Sequence, residues 1–83
     1  MGNHEAAIAT LLRSLELDPN NTMILLNLGG TLLNGNGDID GSIRVLERAL
    51  ELDAVGSDGI PPGAFYGRIS RVLADARERK AVS

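Results

Sequence analysis

The chain has 83 residues, of which 43% are apolar and only 2% aromatic, with no cysteine and a net charge of −3. That length allows one small domain over residues 1–83, and the lack of cysteine excludes disulfides and thiolate metal sites. A core nearly free of aromatics must be built from Leu, Ile, Val and Ala, which favours an all-α fold over a β-sandwich, and the net negative charge argues against general nucleic-acid binding.

Ala7, Ile8, Leu11, Leu12 and Leu15 fall on one helical stripe. Pro19 stops that helix, so the first element is expected over residues 3–18. Asn20-Asn21-Thr22 reads as a turn followed by a capping residue. The second helix, 22–34, is apolar nearly all round (Met23, Ile24, Leu25, Leu26, Leu28, Leu32, Leu33) and should be the most buried. It contains Gly29 and Gly30, each costing about 1 kcal/mol of helix propensity relative to alanine. Such a cost points to a close approach by another backbone. Asn34-Gly35-Asn36-Gly37 ends the helix. Asp38 caps a third helix, 38–53, whose stripe is Ile39, Ile43, Leu46, Ala49 and Leu50. A loop with Gly56, Gly59, Pro61 and Pro62 follows, and a fourth helix is expected over 62–80 with Phe65, Tyr66, Ile69, Val72, Leu73 and Ala76 on its apolar face.

The sequence repeats with a period of 35 residues. Gly2, Ile8, Leu11, Arg13, Leu15, Glu16, Leu17 and Asp18 recur as Gly37, Ile43, Leu46, Arg48, Leu50, Glu51, Leu52 and Asp53. Unrelated amphipathic helices would share the stripe, but not the flanking glycine and the Leu-Glu-Leu-Asp ending. The run Gly2-Asn3-His4-Glu5-Ala6-Ala7-Ile8, closing on Leu15-Glu16-Leu17-Asp18-Pro19-Asn20-Asn21, resembles the second helix of a tetratricopeptide repeat and its link to the next repeat. Leu25, Leu28, Gly29 and Leu32 resemble the first-helix pattern, with leucine in place of both aromatics. Pro19 fits the closing proline, and Ala54 replaces it in the second copy. One extra residue within Asn34–Gly37 accounts for a spacing of 35 in place of 34. Tyr66, Ile69, Ser70 and Leu73 resemble a third copy more weakly, after a loop about six residues longer than the repeat requires.

The resemblance implies antiparallel helix–turn–helix units that stack on one another, and a protein-interaction scaffold in place of an enzyme. It places Met23, Leu26, Asn27, Gly30 and Asn34, with Arg68, Arg71 and Asp75, along a concave groove that takes a peptide or helix of a partner. It also implies a further helix over Ile8, Leu11 and Leu12, on the stripe that Leu15 continues. That stripe is then a candidate for self-association as a homodimer, or for contact with the rest of a longer array. Leu12 sharpens the point, because its counterpart one repeat later is the charged Glu47.

No catalytic constellation is legible. His4 is the single histidine, and it lies in the first turn of the first helix. Asp38 and Asp40 read as a cap and a first-turn acid, since the other ligands of a calcium loop do not follow. No cofactor or metal is expected. Five bases (Arg68, Arg71, Arg77, Arg79, Lys80) cluster in the last segment of an otherwise acidic chain. A third reading therefore has the fourth helix contacting anionic lipid or RNA, although its apolar face is needed by the core. No leader-like apolar stretch follows Met1 and no run approaches the roughly 20 apolar residues of a membrane span, so a cytoplasmic protein with no membrane and no nucleic-acid partner is expected.

Overall fold

In the computed structural model, residues 3–82 are described. They form α1 (Asn3–Leu17), α2 (Thr22–Thr31) with a π-helical extension (Leu32–Asn36), α3 (Ile39–Val55) and α4 (Tyr66–Val82). Among the described residues there is no strand, only an isolated antiparallel bridge between Ser57 and Ile60. The fold is all-α, of helices packed in the manner of a helical repeat.

Local chemistry sets each boundary. The cap of α2 is Asn21 rather than Thr22: its Oδ1 accepts the Ile24 N–H at 3.0 Å, leaving Thr22 as the first helical residue. The extra residue between the repeats is absorbed in the π turn. There the wider spiral takes in one residue without breaking the helix. Gly37, at φ 67°, then reverses the chain, and both its N–H and that of Asp38 reach the Leu32 carbonyl. Asp38 caps α3 through the Gly41 N–H at 2.9 Å. The start of α4 differs from expectation. Pro61 to Phe65 form turns, with Gly63 at φ 81°, and the helix begins at Tyr66 rather than Pro62.

The core lies where α2, α3 and α4 meet. Leu25, Leu26, Leu46, Ala49, Ile69 and Leu73 form one buried cluster. Gly29 is the point of closest approach. The Ser42 hydroxyl donates to the Gly29 carbonyl at 2.7 Å, and a Cβ on Gly29 would lie 2.5 Å from Leu46 Cγ. Gly30 has open space around it, and at Gly29 the close neighbour is the Leu46 side chain rather than another backbone, so a packing reason holds for the first glycine in a different form from the one expected and not for the second.

The two copies of the repeat differ in burial. Ser42, Leu46, Ala49 and Asp53 of α3 are buried, because α3 is flanked by both α2 and α4. Their counterparts Ala7, Leu11 and Ser14 are half-buried and Asp18 is exposed. Equivalent positions, identical at Leu11/Leu46 and Asp18/Asp53, thus have different environments, since the flanking helices and not the local sequence decide burial.

Candidate functional site

The expected groove residues divide into three groups. Leu26 is a correction: at 8% exposure it belongs to the core and does not line a free surface. Its side chain is taken up by the same cluster that holds Leu25 and Leu46. Asn34 is exposed but engaged, accepting from Arg79 Nη2 at 3.3 Å. Met23, Asn27, Arg68 and Arg71 are exposed, and Gly30 is half-buried.

α2 and α4 both pack on α3 and meet each other only along a narrow contact. At the far end, Arg79 reaches both Asn34 and the Leu33 carbonyl while its guanidinium pairs with Asp75 at 3.2 Å. At the near end, Met23, Ile24 and Asn27 of α2 face Phe65, Ile60 and Ser57 across a cleft of about 460 Å³. Asp18, Asn20 and Asn21 complete its rim, and Asp18 Oδ2 accepts from Asn21 Nδ2 at 3.0 Å.

The loop that closes this cleft is held in place from below. Gly56, at φ 77°, caps α3, and a Cβ there would meet the Ile60 carbonyl and Pro62 nitrogen at 2.9 Å. Ser57 and Ile60 exchange two backbone hydrogen bonds of 3.0 and 2.9 Å. Asp53, 3% exposed, accepts the Phe65 N–H on Oδ1 at 2.8 Å, and its own carbonyl accepts the Gly63 N–H at 2.9 Å. A carboxylate set at the start of α4 complements the helix N-terminus.

Charge on the fourth helix is sorted by position. Arg77 pairs with Glu47 at 3.1 Å and Lys80 with Asp40 at 2.7 Å, both across to α3. The hydrogen bond and charge of Lys80 hold the Asp40 carboxyl below its usual range. A depressed folded-state value means that the pair stabilises above the unfolded carboxylate pKa and that this support is lost as pH falls through the folded value. Lys80→Met should therefore raise the Asp40 midpoint in a carbon-detected carboxylate titration; an unmoved midpoint would remove Lys80 as the cause. Because three of the five C-terminal bases are tied to acids, the fourth helix does not present them as one open basic patch. Arg68 and Arg71 have no ion pair among the described residues.

On α1, Ile8, Leu11 and Leu15 are half-buried, and Leu15 packs against the edge of the core. The expectation of a wholly open stripe narrows to Leu12, at 50% exposure. Leu17, at 89%, lies near the same end as the cleft but outside its lining. Among the described residues, no group of three or more His, Cys, Asp or Glu side chains gathers to hold a metal, and no helix is long and apolar enough to cross a membrane.

A family model for the tetratricopeptide repeat matches residues 1–21. The match supports a tetratricopeptide-repeat assignment. No curated protein and no solved structure shows significant similarity to the chain. The matched segment is α1 with its exit turn, the copy whose sequence recurs 35 residues later in α3. The tetratricopeptide repeat is in general a non-catalytic protein-interaction scaffold. Sequence reasoning missed Ser57, Ile60 and Phe65 as lining residues. The signal for them was the length of the loop after α3, which no tetratricopeptide repeat of ordinary spacing needs.

Proposed function

We propose that the chain binds an extended segment of a partner protein on the face shared by α2 and α4. The observation that supports this most is the pairing pattern: Arg77, Arg79 and Lys80 are satisfied within the fold, whereas Arg68 and Arg71 are exposed with no ion pair among the described residues, and Arg68 follows the cleft residue Phe65 by three positions. Unpaired bases next to apolar and amide groups suit a peptide that carries acids. Such exposed charges contribute affinity that falls with salt. Selection of a random dodecapeptide display library on the chain tests the reading. Selected peptides should be rich in Asp and Glu, should shift the Asn27 and Arg68 amide resonances, and should weaken about tenfold or more with R68E/R71E. Peptides that shift only α1, or a selection that yields no binder, would overturn it.

A second reading is association of two copies through α1. It is favoured by the exposure of Leu12 at the centre of a helix with no buried residue. Sedimentation at micromolar concentration should then show a dimer that L12E converts to monomer. A folded monomer throughout would remove this reading.

A further inference from the structure

We infer that the loop after α3 gives this chain an anchor pocket for one large apolar side chain of an acidic peptide. This rests on the α2–α4 face being the binding surface, and it assigns that face its specificity. The cleft of about 460 Å³ is large enough for a leucine or phenylalanine side chain, and falls in the range of ordinary ligand pockets. Met23, Ile24, Ile60 and Phe65 supply its apolar walls, with Asn27 and Ser57 among its polar rim. Met23 and Ile60 remain 48% and 40% exposed, so apolar surface is held open at the mouth.

Both repeat junctions line the pocket, and they differ in length. The first is the short run Asp18-Pro19-Asn20-Asn21, which leads directly into α2 and contributes Asp18, Asn20 and Asn21 to the rim. After α3 the chain instead makes the Ser57–Ile60 bridge and returns to α4 under the hold of Asp53. A wall fixed in this way needs little ordering when a ligand enters, which favours affinity.

Charge sets the side of the anchor on which the peptide's acids lie. Arg68 stands one turn along α4 from Phe65, and Arg71 one turn further. Asp18 lines the cleft on the part of the rim supplied by the link between α1 and α2. Acids that accompany the anchor are therefore placed on the α4 side, where two unpaired guanidiniums wait, and are repelled from the α1 side.

Four short peptides test this, each with an anchor residue one position from a charged pair, made in both chain directions. Two carry Leu or Phe with two glutamates, one carries Ala with two glutamates, and one carries Leu with two lysines. Binding is followed in amide spectra of the whole chain. The Leu or Phe peptide should bind about tenfold or more tightly than the Ala peptide, the gain expected for burying one such side chain. The lysine peptide should bind more weakly than its glutamate equivalent. Ile60→Asp should abolish the preference for Leu over Ala, and Met23→Asp, on an exposed helical position, should do the same if the loop variant fails to fold. Equal affinity of the Leu and Ala peptides, with sensitivity to R68E/R71E retained, would overturn the pocket while leaving the α2–α4 face as the binding surface. Absence of shifts on α2 and α4 with every peptide would overturn both.

Discussion

Leu46→Ala should destabilise the fold by about 3 kcal/mol, within the usual range for removing a fully buried leucine. Leu46 has no exposed surface and sits in the cluster that joins α2, α3 and α4. A small domain is stabilised by only about 5 kcal/mol or somewhat more, so the urea midpoint should fall by more than a third. The companion change is Gly29→Ala. In the native background its Cβ would lie 2.5 Å from Leu46 Cγ, so the leucine must move, at a cost of about 1–3 kcal/mol that outweighs the gain in helix propensity. In the Leu46→Ala background the obstruction is gone and only the propensity gain remains, so the same change should stabilise by up to about 1 kcal/mol. The four proteins of this cycle should therefore show a coupling well above 0.5 kcal/mol. Additive midpoints would mean that the contact between Gly29 and Leu46 does not account for the glycine.

The second large effect belongs to Asp53. Removing its carboxylate strips the Phe65 N–H of its acceptor in a part-buried setting, which should cost about 1–3 kcal/mol and loosen the cleft wall. Asp18, one period earlier, is the control. It is exposed and bonded only to Asn21, so Asp18→Ala should stay within about 0.5 kcal/mol of the parent. Chemical denaturation of both variants measures the difference. Equal losses would remove the buried Asp53 contact as the reason for the larger effect. Asp53→Asn keeps an oxygen acceptor at the same place and should recover most of the loss.

These two residues also mark how far the sequence could be read. The helices were legible because Leu11, Leu46 and their neighbours recur at helical spacing, and the 35-residue period tied α1 to α3. Asp18 and Asp53 are the same residue in the same motif, and nothing local separates them. Their difference comes from α4 and its leading loop folding over one and not the other. Leu26 was placed in the groove by its position in the repeat, yet its burial depends on how α4 closes against α2 and α3. The cleft escaped notice for the same reason. Ile60 and Phe65 are an isolated aliphatic and an early aromatic in a loop rich in Gly and Pro, with no period to place them against Met23. The extra residue in Asn34–Gly37 was visible as a change of spacing, while its form as a π turn follows from backbone hydrogen bonds that composition does not encode.

The shallow seating of α1 has a consequence for how the molecule opens. No residue of α1 is fully buried, whereas α2, α3 and α4 share a sealed interior. Lifting α1 away removes Leu15 from the edge of that interior but none of its buried residues, so the backbone amides of α1 should exchange with solvent through a local event of lower free energy than global unfolding. Amides in the centre of α3 can exchange only when the whole cluster comes apart. One short chain thus holds two levels of protection against exchange. A ligand on the α2–α4 face would raise the upper level, and one that grips α1 would raise the lower, so the pattern of slowed amides reports which surface has been occupied.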